Sequence, residues 1–293
     1  MARSFLTGEE LSAEGLETLL DRALELKAGR ERGEGGGSLG GRIVALVFER
    51  PSTRTRISLE VGVAELGGTP VVLRGDELQL ARGESIADTG RVLSRYVHAI
   101  AIRSRSHESV EELAEVASVP VVNALTPLHH PCQALADLLT LHERFGELRG
   151  LRLAYVGDGN NVARSLAILG RTAGVEVAVA SPEGYRLEPG LAAEDTADPR
   201  VAVSGADAVY TDVWVSMGDE ENAARRREAL APYRVDGALL EAAADRAIVL
   251  HCLPAHPGDE ITEEVLYGDR SAVWDQAENR LHAQKALLER LPG

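Results

Sequence analysis

The sequence predicts an α/β fold: two doubly wound parallel-sheet domains joined by interdomain helices, with the active site in the cleft between them. Three observations lead there. Short apolar runs alternate with helix-period patterns along nearly the whole chain, the pattern of parallel sheets covered by helices. The alternation restarts after Leu148-Arg149-Gly150, so it reads as two units. Finally, Ser52, Arg103, His130, Asn161, Asp212 and Cys252 each fall at or just past the carboxyl end of an expected strand. Open α/β sheets bind their ligands at that edge.

Residues 8–28 carry Leu11, Leu16, Leu19, Leu20, Ala23 and Leu24 at helical spacing, and the glycine-rich segment 29–41 ends that helix. Ile43 to Phe48 is apolar throughout and too short for a helix, as in a strand buried on both faces. Ile57, Val61, Ala64 and Leu66 mark the next helix, which Gly67-Gly68 stops. A strand over 69–73, a polar loop over 74–85, a helix over 86–96 and a strand ending at Arg103 follow. A helix over 107–117 and a strand over 119–124 precede Leu128-His129-His130-Pro131-Cys132-Gln133, and Pro131 suits the first turn of a long helix to Phe145. The second half offers strands at 151–156, 175–179, 208–211 and 247–250. It also has a helix to Ala173 stopped by Gly174, and a last helix from Gln276 to Leu291. The implied domains are 1–146, with helix 276–293 packing back on it, and 147–275.

A chain of 293 residues can build two such cores. Its net charge of −15 argues against nucleic acid or an anionic membrane as partner. No apolar run approaches the ~18 residues of a membrane span, and residues 1–7 lack the apolar core of a signal peptide. The expectation is a cytoplasmic protein. Cys132 and Cys252, the only cysteines, make neither a disulfide framework nor a zinc spacing. Lys27 and Lys285 are the only lysines, so arginine supplies nearly all positive charge.

The most informative stretch is Phe48-Glu49-Arg50-Pro51-Ser52-Thr53-Arg54-Thr55-Arg56. It lies where a strand ends and a helix begins, so unpaired backbone N–H groups and the helix dipole favour an anion there. Hydroxyls and guanidinium forks add what a phosphate wants. The plainer reading is a Ser/Thr helix cap with solvated arginines. Against it, Arg54 and Arg56 sit in the first turn, where cations oppose the dipole; such a placement calls for a compensating ligand. Gly157-Asp158-Gly159-Asn160-Asn161 superficially suggests a dinucleotide loop, but Val162 takes the third glycine's place and no acid ends the next strand.

Four motifs in chain order resemble the aspartate/ornithine carbamoyltransferase family, and its ornithine branch in particular. They are Ser52-Thr53-Arg54-Thr55-Arg56, His130-Pro131-Cys132-Gln133, Asp212-Val213-Trp214-Val215-Ser216-Met217-Gly218 and His251-Cys252-Leu253-Pro254. The resemblance implies carbamoyl transfer from carbamoyl phosphate to L-ornithine, giving L-citrulline and phosphate, with no metal or cofactor. It implies that Ser52, Thr53, Arg54 and Thr55 hold the phosphate, and that Arg103, His130 and Thr55 donate to the carbamoyl oxygen. Gln133 and the Leu253 carbonyl would take the carbamoyl NH2, with Arg280 reaching the same region. Asn161, Asp212, Ser216 and Met217 would hold the amino-acid end, Asp212 pairing with the α-ammonium. Cys252 would lie near the δ-amine and, with Leu253, serve carbamoyl phosphate, and Arg54, Arg103, His130 and Cys252 would be catalytic. Gln79 and Arg82-Gly83-Glu84-Ser85 match a loop that reaches a neighbouring subunit's carbamoyl phosphate, which implies a homotrimer with shared sites, or a multiple of one.

The chain departs from the family at Arg50-Pro51, where relatives often carry lysine followed by another residue, and at Ala255, where some have arginine. Taken alone, His130 could be a cap or core histidine, Asp212 a helix cap, and Cys252 an inert small hydrophobe. The alternative substrates are putrescine and N-acetylornithine. Asp212 with Ser216-Met217-Gly218 disfavours both, since the first has no amino-acid end and the second no α-ammonium.

Overall fold

The computed structural model describes residues 4–75, 77–78, 83–215 and 220–291. It forms two compact units, Met1–Leu139 with Asn279–Gly293, and Thr140–Glu278.

In the first unit α1 (Ala13–Glu31) precedes β1 (Ile43–Phe48), α2 (Arg54–Glu65), β2 (Thr69–Arg74), α3 (Ile86–Leu93), β3 (Ala99–Arg103), α4 (His107–Val116) and β4 (Val121–Leu125). The helix expected over 8–28 starts later because Ser12 caps it, its hydroxyl accepting from the Gly15 N–H. The sheet is parallel in the order β2-β1-β3-β4. Its strands read as unbroken apolar runs because both faces are covered; Ala45, Val47, Ile100, Ile102 and Val121 are buried against Val110 and Leu113 of α4. Each aliphatic side chain so buried stabilises by about 1.5–3 kcal/mol. The chain order reverses between β1 and β3, where Phe48 pairs with Arg103, so both strands end at one level.

The helix that Ile57, Val61, Ala64 and Leu66 mark forms as α2 and ends at buried Leu66, but its inner face is another stripe: Ile57 is 47% exposed, and the buried residues within the helix are Thr55, Leu59, Gly62 and Val63. Helical spacing suits either face, and packing chooses the one where bare Gly62 lets the chain approach Leu281 and the Lys285 stem. Both lysines are buried there. Lys27 donates to Asn279 Oδ1 at 2.9 Å, and Lys285 pairs with Glu65 at 2.8 Å.

Helix α5 (Pro131–Phe145) begins at the expected proline. The second unit then builds β5 (Arg152–Val156), α6 (Asn161–Ala173), β6 (Glu176–Ala180), β7 (Glu194–Thr196), α7 (Pro199–Val203), β8 (Ala208–Thr211), α8 (Ala223–Leu230), α9 (Gly237–Leu240), β9 (Ile248–His251) and α10 (Glu263–Leu266). The last helix, α11 (Val273–Arg290), starts three residues before the expected Gln276. The parallel sheet runs β7-β6-β5-β8-β9, reversing between β5 and β8. Thr211 pairs with His251, so Asp212 and Cys252 leave adjacent strands side by side. Gly174 ends α6 in the left-handed region, as its position after the last apolar turn predicts. β7 and the short helices α7 to α10 carry no periodic signal and were not anticipated.

Among the described residues, no helix is long and apolar enough to cross a membrane.

Candidate active site

In the first unit, the carboxyl ends of β1 and β3 meet at the reversal of chain order, where doubly wound sheets bind ligands. A pocket opens there, lined by Arg50, Ser52, Thr53, Arg56, Arg74 and Arg105 among others. Thr53 occupies the N-cap position of α2 but makes no side-chain capping bond, so the plain capping reading does not hold for it. Glu49 ties the two strand ends together by accepting from the Ser104 hydroxyl at 2.8 Å and the Arg105 N–H at 2.7 Å. Arg103 reaches Ser52 Oγ at 3.5 Å. Arg56 pairs loosely with Glu60 at 3.9 Å, whereas half-buried Arg54 makes no hydrogen bond or ion pair among the described residues. A guanidinium set in that turn without a carboxylate suits an incoming anion.

Behind this loop lies a buried polar group. The Arg280 guanidinium donates to Thr55 Oγ1 and to Gln133 Oε1, and the Gln133 amide donates to Asp137 Oδ1 at 2.8 Å. Thr55, His130, Gln133, Asp137 and Arg280 are all buried. The turn before α5 is braced through Thr126, which accepts from the His129 N–H at 3.1 Å and lies 3.1 Å from His107 Nδ1. The His130 carbonyl accepts the N–H of Gln133 at 3.0 Å, fixing His130 at the helix mouth. Burial, reinforced by the Arg280 and Arg103 charges, drives the His130 imidazole well below the ordinary histidine range. It is therefore a neutral ring at physiological pH, which can donate a hydrogen bond from one nitrogen only.

Nearby Cys132 is structural. Its thiol donates to the Asn123 carbonyl at 3.4 Å, and burial pushes its pKa up to about 12. A thiol reagent at pH 8 is expected to leave Cys132 unmodified in the native protein and to label it once denaturant is added. Mass spectrometry of the labelled peptide checks this; fast native labelling would show the site to be open.

The second unit holds another polar cluster at its own reversal point, between β5 and β8. Asp212 is buried, and its carboxylate has three donors. Asn160 Nδ2 reaches Oδ2 at 2.8 Å, the Val213 N–H reaches Oδ1 at 2.8 Å, and the Cys252 thiol donates to Oδ1 at 2.7 Å. Asp212 caps no helix among the described residues, so the capping alternative is not supported here either. Sequence reasoning singles out Asn161 and not its neighbour Asn160. Asn160 caps α6 with Oδ1, which also accepts from the Tyr155 hydroxyl at 3.1 Å, while its amide orients Asp212. An asparagine between a strand and a helix was the available signal. Asn161 is the half-buried first residue of α6. Burial first, then the Asp212 and Asp158 charges, hold the Tyr155 phenol well above its usual range, so it stays a donor.

Asp212, His251 and Cys252 lie close enough to suggest a metal site, yet both His251 nitrogens have protein partners, the Leu253 N–H and Glu260. The dinucleotide reading is also closed off. A side chain at Gly159 would meet the backbone of Tyr185 and Leu187 at 2.7 Å, so the chain itself occupies the approach. Cys252 and Leu253, expected to serve carbamoyl phosphate, belong to the second unit, whereas Arg280 belongs to the first. Gln79, Ser216 and Met217 lie outside the described residues. Of the loop that includes Gln79, Ser85 caps α3, and Glu84 accepts from the Thr89 hydroxyl at 3.1 Å.

Comparison with known proteins finds similarity along nearly all of the chain. Residues 3–143 match the aspartate/ornithine carbamoyltransferase carbamoyl-P binding domain, and residues 149–291 match the Asp/Orn binding domain of the same family. An ornithine carbamoyltransferase from Acidothermus cellulolyticus is 55% identical, over 98% of this chain and 96% of the relative. The solved ornithine carbamoyltransferase of Pyrococcus furiosus superposes with a TM-score of 0.94 at 46% identity, covering 98% of this chain and 96% of that one. That of Thermus thermophilus gives 0.92 at 46% identity with full coverage of both chains, 100% each.

Proposed function

Because the chain belongs to the aspartate/ornithine carbamoyltransferase family, we propose that it transfers the carbamoyl group of carbamoyl phosphate to the side-chain amine of L-ornithine, releasing L-citrulline and phosphate. A domain of residues 1–146 with 276–293 takes carbamoyl phosphate, and one of residues 147–275 takes ornithine. The observation that carries this reading is the convergence of Ser52, Thr55, Arg103, Gln133 and Arg280 with a neutral buried His130 at the strand ends of the first unit.

The chemistry follows from those groups. Ser52, Thr53, Arg54 and Thr55 hold the phosphate. The deprotonated δ-amine attacks the carbamoyl carbon, and negative charge develops on the carbamoyl oxygen as the tetrahedral intermediate forms. Arg103, His130 and Thr55 donate to that oxygen; preset donors of this kind supply the largest catalytic contribution in acyl transfer. Gln133 and the Leu253 carbonyl accept from the NH2, and phosphate departs with its charge matched by Arg54 and Arg103. Asp212 pairs with the α-ammonium, with Asn161, Ser216 and Met217 at the carboxylate end. Cys252, whose thiol donates to Asp212, sits beside the amine and keeps water away from it.

A citrulline assay with carbamoyl phosphate against ornithine, N-acetylornithine, putrescine and aspartate tests the reading. Turnover of ornithine alone supports it, and preference for another amine overturns it. Arg54→Ala is expected to weaken carbamoyl phosphate binding by at least ~1.5 kcal/mol, about tenfold in Kd, the scale of a charge-assisted hydrogen bond. Calorimetry with unchanged affinity would remove Arg54 from the cradle.

The loop from Gln79 to Ser85 belongs, in this reading, to a homotrimer whose neighbours complete one another's sites, acting in the cytoplasm in arginine biosynthesis. Sedimentation is expected to give a trimer or a multiple of one. A fully active monomer would dispose of the shared site.

A further inference from the structure

Beyond the residues that meet substrate, the second unit contains a buried chain of hydrogen bonds that ends on the Leu253 backbone. Glu260 and His251 are completely enclosed. Burying a carboxylate and an imidazole is unfavourable unless each finds partners, and here each partner is specific. His251 Nδ1 accepts the Leu253 N–H at 2.9 Å. A ring nitrogen that accepts has no proton of its own, so the His251 proton is on Nε2. That Nε2–H meets Glu260 Oε1 at 3.0 Å. The same oxygen accepts the His256 N–H at 2.6 Å, which ties the far end of the loop to the same point. The His251 N–H in turn donates to Gln276 Oε1 at 2.8 Å, and Gln276 donates to the Tyr210 hydroxyl at 3.1 Å, so the imidazole's own backbone is anchored to the neighbouring strand.

What this chain holds is an unusual conformation. Leu253 has φ of 59°, the left-handed region, and is the one non-glycine residue with positive φ among the described residues. A branched side chain disfavours it, so the surroundings must impose it. Its position sets where the Leu253 carbonyl points. The preceding Cys252 has an anchor of its own, its thiol donating to Asp212 Oδ1.

We propose that Glu260 is a positioning residue for carbamoyl transfer: it fixes the tautomer and tilt of His251, whose Nδ1 holds the Leu253 backbone with its carbonyl ready for the carbamoyl NH2. This rests on the carbamoyl phosphate reading above. Glu260 acts as a hydrogen-bond acceptor and not as a charge. Its Oε1 takes both donors, while Oε2 has no hydrogen-bond partner and lies 3.9 Å from His256 Nδ1. A glutamine presents the same acceptor oxygen, and an alanine does not.

The test compares Glu260→Ala, Glu260→Gln, His251→Asn and His251→Ala in the full-length protein, each checked for fold by circular dichroism. Glu260→Ala is expected to lower kcat/KM for carbamoyl phosphate by about 10- to 100-fold, the usual effect of losing a support one layer behind a reacting group. The KM for ornithine should stay near its wild-type value. Glu260→Gln should restore most of the loss. Should Glu260→Ala not fold, the histidine pair decides: asparagine keeps an acceptor near the Nδ1 position and should exceed alanine in kcat/KM. Equal loss in Glu260→Gln and Glu260→Ala, or folded Glu260→Ala with wild-type kinetics, would overturn the proposal. A crystal structure of Glu260→Gln separates the two levels of inference. If the wild type shows no carbamoyl transfer to ornithine, the functional reading fails; the positioning claim then stands or falls on whether Leu253 N–H still meets His251 Nδ1 in Glu260→Gln and is released in Glu260→Ala or, if that protein does not fold, in His251→Ala.

Discussion

Asp212→Asn is expected to lower kcat/KM for ornithine by two to three orders of magnitude while leaving carbamoyl phosphate affinity unchanged. The carboxylate is buried and already held by three hydrogen bonds, from Asn160, Val213 and Cys252, so in the proposed reaction it would meet the α-ammonium as a preset, poorly solvated group. Removing one partner of such a pair costs about 3–5 kcal/mol, because the other charge is left uncompensated. Asparagine keeps the size of the side chain, so a large effect reports the lost charge and the mismatch of its NH2 with these donors, and not packing. Steady-state kinetics varying ornithine, with calorimetry of carbamoyl phosphate on the same protein, checks the result. If ornithine KM and kcat stay within a few-fold of wild type, Asp212 does not hold the amino acid.

His130→Ala is expected to reduce kcat by about 10²- to 10³-fold, the range for loss of one oxyanion donor, with a smaller change in ornithine KM. The reverse pattern would make His130 a binding residue. The pH behaviour provides a second check. His130 has a folded-state pKa far below the 6.5 of a free histidine, through burial first and then Arg280 and Arg103. The native ring therefore stays neutral through pH 6–8, and the kcat profile should carry no limb near 6.5 from this residue. For stability the sign follows from proton binding. As pH falls through about 6.5 the unfolded chain takes up a proton on residue 130 and the folded one does not, so stability declines with falling pH from that point towards the depressed native value. Above it, His130 adds no pH dependence. Against His130→Gln, which cannot take up that proton, the wild type should lose more stability between pH 7 and pH 5; parallel denaturation midpoints would contradict a buried neutral imidazole.

Much of this was legible in the chain itself. Residues 43–48 declare a buried strand because every side chain is apolar, and Ser52 to Arg56 follow where the end of that strand meets a helix mouth. The spacing of Ile57, Val61, Ala64 and Leu66 locates α2 but does not say which face packs. Thr55, Leu59, Gly62 and Val63 are the buried residues, and bare Gly62 lies against Leu281 and Lys285 of α11. Asn160 and Asn161 are neighbours with the same side chain, and it is the N-cap geometry of α6 that turns the first towards Asp212.

Composition, strand-helix alternation and four short motifs determined the fold class, the family and the proposed phosphate cradle, because these depend on local pattern and on residue types at fixed spacing. The arrangement behind the cradle was decided only by tertiary structure. Arg280 reaches Thr55 across 225 positions and Gln133 across 147, and Glu260 governs Leu253 through a histidine. Such bonds join residues that no periodicity relates, and they form because a buried polar atom must find its partner wherever the fold brings one.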